Sequence, residues 1–311
     1  MRISALYEGA GLFPRHDRGR IVLRGADGKA YLHGLLSNDI LALQPGGWCY
    51  ATLLTPQGRM ISDMRVFDLG DLLLMDVQQP VLATVREHLE KFVIMEDVEV
   101  EDVTSEWAQI GLYGPRANDV LAAASADAGW RAPLYTLPSR DIGVDGADLI
   151  VPVGAVDAVT AALERAGAVR VDPADAEVTR VEAGIPKFLV DMDATTIPLE
   201  AGIEDRAISM TKGCYVGQEV IVRVLHRGGG RVAKKLVGLA VDGDAQPDDR
   251  LFAGDREVGR ITSAVDSPRL GRRVALGYVQ RDYVEPGTEL SVTTGQGQAR
   301  AVVRQPVNDE C

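Results

Sequence analysis

The chain has 311 residues, 46% of them hydrophobic and 25% charged, and carries a formal net charge of −12. That length suits two or three packed modules with an adequate core, and the acidic balance repels polyanions, which opposes broad nucleic-acid binding. No run reaches the ~18 apolar residues of a membrane span, Arg15 to Arg18 interrupt any N-terminal apolar stretch, and the cysteines (Cys49, Cys214, Cys311) are three and widely spaced. No signal peptide, no membrane and a reducing, cytoplasmic setting are expected.

In chain order, strand and helix signals alternate first. Leu72 to Val77 is a short apolar run, and Pro80 opens a helical pattern with Val81, Val85, Leu89 and Phe92 at spacings of three and four. Val98, Val100 and Val103 among acids predict a half-exposed strand. Arg116–Ala128 and Ala155–Ala166 read as helices, with Gly167 ending the second. Asp172-Pro173 is an N-cap followed by Pro at the first helical position, and that helix is expected to run to about Ala183, with Val178 and Val181 facing inward. Glu182 then sits in the last turn, where a carboxylate opposes the helix dipole. From about Lys234 the helical period vanishes. Five β-prone runs, Leu236–Val241, Val258–Ala264, Val274–Val279, Leu290–Thr294 and Ala299–Val303, alternate with turn residues and predict a small antiparallel barrel. The expected division is a body over 1–233 and a barrel domain over 234–311, joined near Gly228-Gly229-Gly230. No internal repeat is visible.

Phosphate-loop, dinucleotide, nucleophile-elbow and zinc-protease motifs are all missing, no histidines have metal-ligand spacing, and no C-x-x-C pair exists, so no metal site is expected. Between Lys212 and Lys235, six basic residues face one acid. This segment reads as a solvated face or as a local anion site, and it lacks the interleaved aromatics of a single-strand binder.

Residues 212–219 read K-G-C-Y-V-G-Q-E, followed by Arg223. Gly213 and Gly217 are expected to take positive φ and to expose Cys214 on a tight loop, with Lys212 and Arg223 favouring the thiolate. A helix from Gly217 would point its amides at the loop, although Val220, Val222 and Val224 alternate as a strand would. The bland alternative for Cys214 is a small buried hydrophobe. Cys49 reads as core packing and Cys311 as part of a loose terminus.

The segment resembles the signature of the YgfZ-type folate-binding proteins, relatives of the glycine-cleavage T-protein (aminomethyltransferase), at every fixed position. G-L-L-S-N-D-I (34–40), T-P-Q-G-R-M-I-S-D (55–63) and V-E-A-G-I-P (181–186) resemble further family segments in the same order. The resemblance spans roughly residues 10–225 and implies an α+β fold, a T-protein-like folate-binding body with a C-terminal antiparallel β-barrel. It further implies tetrahydrofolate, or a folate derivative, as cofactor. Implied partners are iron–sulfur proteins or their assembly factors, including a tRNA-modifying enzyme.

By position, the residue on which the family's function depends is Cys214. Lys212, Gly213, Tyr215, Gly217, Gln218, Glu219 and Arg223 are its motif neighbours. Glu182 matches the acid that holds the pterin in T-proteins, and a carboxylate suits the paired N–H donors of a pterin edge. Asn38 and Arg223 are further candidates for holding the cofactor. Asp63 stands where T-proteins carry an essential acid, and its alternative is a strand-end surface residue. Two functions follow from the resemblance: an accessory factor for iron–sulfur protein assembly or maintenance acting through Cys214, or a tetrahydrofolate-dependent aminomethyltransferase-like one-carbon transferase. The Cys in the motif loop favours the first, because T-proteins carry an aromatic or aliphatic residue there.

Overall fold

The computed structural model describes residues 2–227 and 230–305, so Cys311, Gly228 and Gly229 lie outside the described residues. Two five-stranded sheets form the body. The first runs Trp48–Leu54, Met60–Asp68, Leu73–Gln78, Arg18–Arg24, Glu99–Asp102, all antiparallel. The second runs Val169–Arg170, Gly11–Pro14, Trp107–Tyr113, Gly146–Pro152, Tyr135–Ser139, antiparallel except for the first pair.

The two sheets share a plan that the residue identities conceal. In each, a strand (Arg18–Arg24 or Trp107–Tyr113) leads through a left-handed glycine into a helix (Gly28–Leu35 or Ala117–Ala124); Gly25 has φ 108° and Gly114 has φ 125°. A Cβ at either glycine would lie 2.0 Å from Asp97 O or 2.4 Å from Gly9 O, so both the conformation and the backbone approach need glycine. In each, a later strand (Leu73–Gln78 or Gly146–Pro152) passes through one 3₁₀ turn into a second helix (Leu82–Phe92 or Val156–Arg165) and a last strand.

The helices cover the outer faces. Leu32, Val85 and Leu89 pack on Ile21, Leu23, Met64 and Val66; Val120, Val159 and Leu163 pack on Leu112, Leu149 and Val151. Each such side chain removed from water is worth roughly 1.5–3 kcal/mol. The inner faces meet each other. On Met60–Asp68, period-2 alternation sends Met64 and Val66 outward to the helices and Phe67 inward, where it joins Val22, Leu74, Leu137 and Ile150. Another part of this inter-sheet layer is charged.

Asp172 caps the helix Pro173–Glu182 as expected: its side chain accepts from Ala174 N at 2.9 Å, and Asp175 accepts from Asp172 N at 3.1 Å. Such a capping box is worth about 1 kcal/mol. The helix docks on the barrel. Val181 packs on Val274 and Leu276, and Arg304 donates to the helix-end carbonyls of Val181 (3.0 Å) and Glu182 (2.8 Å).

The barrel is closed and antiparallel, in the order Lys234–Val241, Arg272–Gln280, Arg256–Ser267, Arg250–Ala253, Glu289–Thr294, Gly297–Arg304. Leu239, Leu251, Ile261, Val279, Val292 and Val303 fill it. Five of the six strands coincide with the β-prone runs. The sixth, Arg250–Ala253, has only four residues, too short to stand out from its turns, yet it closes the sheet and removes the free edges. Among the described residues no helix is long and apolar enough to cross a membrane.

Candidate functional site

A cavity of about 580 Å³ opens where the charged part of the inter-sheet layer meets the helix Pro173–Glu182 and the segment Ile185–Lys187. Its floor is a buried ionic network. Arg18 pairs with Asp76 at 2.6 Å, Arg65 with Asp76, with Asp148 and with Asp141 (3.0 Å), and Arg15 with Asp148 and Asp141 (3.2 Å each). Burial opposes the charge on Asp76, but Arg18 and Arg65 outweigh it and hold the carboxyl below its ordinary value. Asp141 is held low in the same way by Arg65 and Arg15.

Asp63 lines the same cavity and differs in kind. It is 5% exposed; Tyr50 Oη donates to its Oδ2 at 2.7 Å, while Oδ1 has no partner among the described residues. Burial pushes its carboxyl above the usual range, with Arg18, the Tyr50 hydrogen bond and Arg206 only partly offsetting the shift. Burial, followed by the Asp63 charge, likewise drives the Tyr50 phenol well above its ordinary value, so Tyr50 keeps its proton and stays a donor. Asp63 is therefore an under-paired buried acid beside a cavity, the arrangement expected of a group that handles protons.

Asn38 also lines the cavity, but its amide is spent on the protein. Nδ2 donates to Tyr50 O (2.9 Å) and Arg206 O (3.0 Å), and Oδ1 accepts from Asp39 N (2.8 Å). The Arg206 guanidinium lies 4.6 Å from the Tyr50 ring centroid. Phe13, Trp48 and Ile142 supply apolar wall, and Glu177, Lys187 and Arg206 add charge around it. Cys49 is half-buried on the cavity wall as well as packing on the core, and burial pushes its thiol up to about 12.

Glu182 is elsewhere. It is 1% exposed at the junction of helix and barrel, accepts from Tyr7 Oη at 3.0 Å and from Ser267 Oγ, and pairs with Arg269 at 3.4 Å. The carboxylate that this helix turns toward the cavity is Glu177, bonded by Arg180 Nε at 2.9 Å. At ~100° per residue, positions five apart point about 140° from each other, so one helix does not present both to the same space.

The motif loop forms its own structure beside the cavity. Cys214 is exposed and Tyr215 buried. The Lys212 ammonium is spent on backbone carbonyls. It donates to the carbonyls of His33, Leu36 and Asn38, the last at 3.1 Å, capping the end of the helix Gly28–Leu35, and it lies 5.0 Å from the Tyr215 ring centroid. Burial pulls Lys212 down to about 8.

Of the two motif glycines only Gly217 is left-handed (φ 85°), and a Cβ there would lie 2.4 Å from Thr55 O; a Cβ on Gly213 meets nothing within 4 Å. Gly58 (φ 72°) in turn faces Val220 of the helix Gln218–Val222, so the T-P-Q-G-R turn and the K-G-C-Y-V-G-Q-E loop are packed on each other. Gln218 is half-buried, and Glu219 and Arg223 are exposed. The structure thus brings Asp63 and Asn38 to the cavity; Cys214, Lys212, Arg223 and Glu182 do not line it. The residues missing from the sequence reading are Tyr50, Arg206, Glu177, Arg15 and Arg65. For Arg65 a signal existed, since an Arg in the apolar strand M-I-S-D-M-R-V-F-D has to be paired when buried.

Comparison with known proteins agrees with this architecture. Residues 3–152 match the GCVT N-terminal domain, and residues 234–309 match the glycine cleavage T-protein C-terminal barrel domain. An aminomethyltransferase of Streptomyces coelicolor (strain ATCC BAA-471 / A3(2) / M145) is 30% identical, covering 90% of this chain and 81% of its own. One of Synechococcus sp. (strain CC9311) is 28% identical over 97% of this chain and 88% of its own. The crystal structure of the glycine cleavage system aminomethyltransferase T from Bartonella henselae superposes with a TM-score of 0.87 at 21% identity, covering 99% of this chain and 89% of that one, which establishes the shared fold. The chain belongs to the aminomethyltransferase family, that of the glycine cleavage T-protein.

Proposed function

We propose that the cavity binds tetrahydrofolate and that the protein is a folate-dependent one-carbon transferase in which Asp63 handles the proton. The observation that carries this reading is Asp63 itself, a buried, under-paired acid lining a cavity of about 580 Å³. The residues suit the group. The volume falls within the roughly 300–1,000 Å³ typical of small-molecule sites. Phe13, Trp48 and Ile142 offer apolar faces for a bicyclic ring, and Lys187 and Arg206 offer charge for a carboxylate tail. When bound, tetrahydrofolate supplies the nitrogen that accepts the one-carbon unit. The chain's own part is to exclude water, to orient Asp63 through Tyr50, and to hold or release a proton at Oδ1. The relatives that bear the name aminomethyltransferase support this reading.

A second reading, an accessory role in iron–sulfur protein assembly of the YgfZ type, rests on a different observation: Cys214 is an exposed thiol on a loop clipped by Lys212 to the turn that carries Asn38. Calorimetry with tetrahydrofolate is expected to give saturable binding that Cys214→Ser leaves unchanged, and the absence of binding would refute both readings. In cells lacking the protein, complementation decides between them. Failure of Asp63→Asn with success of Cys214→Ser supports transfer; the reverse pattern, read out as loss of iron–sulfur enzyme activity, supports the accessory role.

A further inference from the structure

Three elements converge around Tyr50 beside Asp63, whose Oδ1 has no partner among the described residues. From the strand Trp48–Leu54, Tyr50 Oη occupies Oδ2 at 2.7 Å. From the helix Glu204–Ala207, Arg206 lies over the Tyr50 ring, 4.6 Å from its centroid. Asn38 bonds the backbone carbonyls of both residues, at 2.9 and 3.0 Å, and so ties the Tyr50 strand to the Arg206 turn. Lys212 holds Asn38 in turn through its carbonyl at 3.1 Å. The phenol is thereby fixed at both its backbone and its ring.

We propose that Tyr50, clamped by Asn38 and Arg206, is a positioning residue for Asp63: by occupying Oδ2 it fixes the plane of the carboxylate and assigns Oδ1 to the proton or ligand. The geometry is directional. A phenol that keeps its proton can only donate to the ionised carboxylate, so it stabilises the charged form and aims the remaining oxygen. The charged groups that bear on Asp63 are Arg18 from the strand Arg18–Arg24 and Arg206 from its helix, both favouring ionisation, together with Tyr50. Arg18 is itself paired to Asp76 at 2.6 Å, which leaves Tyr50 as the one of these three that touches Asp63 through a hydrogen bond. The role of Tyr50 rests on the reading of Asp63 as the acting acid.

The test titrates Asp63 directly in the full, unliganded chain by carboxyl ¹³C NMR, the signal being assigned by its loss in Asp63→Asn. Tyr50→Phe keeps the ring and removes the donor; the Asp63 midpoint is expected to rise, with proton affinity up about tenfold or more. Arg206→Met is expected to move it the same way by less. An unchanged midpoint in Tyr50→Phe overturns the proposal. Tetrahydrofolate calorimetry across the same pH range follows. In Tyr50→Phe the pH at which affinity changes is expected to move with the NMR midpoint, whereas a loss of equal size at every pH marks a merely structural role and also overturns it. If wild type binds no folate at any pH, the folate reading fails while the NMR result still decides the role of Tyr50.

Discussion

Asp63→Asn is expected to make the protein more stable at neutral pH while stopping the proposed one-carbon transfer. Asp63 is buried, lacks a contacting cation and leaves Oδ1 without a partner among the described residues. An orphaned buried polar atom costs about 1–3 kcal/mol, more if charged. Asparagine keeps a carbonyl for the Tyr50 hydroxyl and exchanges a charged orphan for a neutral one, so the expected gain is ~1 kcal/mol, or ~2–4 °C in Tm for a body of this size. The pH dependence fixes the cause. Burial raises the folded-state value of Asp63 above the 3.8 of the unfolded chain. Between those two values the folded state holds more protons than the unfolded one, so wild-type stability falls as pH climbs through the window and stays lowered above it. The gap between mutant and wild type should therefore widen as pH rises above 3.8 and shrink as pH drops toward 3.8. Calorimetric scans of both proteins at stepped pH measure it. A mutant less stable at pH 7.5, or a gap that does not narrow on acidification, refutes the assignment of Asp63 as an under-paired buried acid.

Gly217→Ala is expected to destabilise the body by ~2 kcal/mol or more, because a left-handed L-residue costs about 1–2 kcal/mol and the new Cβ meets Thr55 O at 2.4 Å; Gly213→Ala should be nearly silent, and urea unfolding of both separates the structural glycine from the permissive one. Glu182→Gln is expected to loosen the contact between helix and barrel and leave tetrahydrofolate affinity within about twofold, since its carboxylate serves Tyr7, Ser267 and Arg269; a loss worth the ~1.5–3 kcal/mol of a charged hydrogen bond would return the pterin contact to Glu182.

What the sequence determined by itself is what depends on neighbours along the chain. Asp172-Pro173 announces a helix start because the cap, the fixed proline φ and the back-bonding Asp175 lie within four residues of one another, and the cap is found where expected. The barrel was legible for a similar reason: short β-prone runs between turn residues specify strands whatever lies across from them. The motif segments T-P-Q-G-R and K-G-C-Y-V-G-Q-E were visible too, but not their contact, which exists because Gly217 and Gly58 let two distant backbones approach.

The tertiary structure alone decided the rest. Nothing local in the sequence pairs Arg15, Arg18, Arg65, Asp76 and Asp148 with one another; only the facing of two sheets makes them a buried network, in which each charge is tolerated because an opposite one meets it. Asp63 and Glu182 read alike as family acids, yet one lines the cavity and the other is sealed against the barrel. The side on which a helix or strand presents its carboxylate becomes a site or a joint according to what packs there, and for Glu182 the partners Tyr7, Ser267 and Arg269 lie far away along the chain.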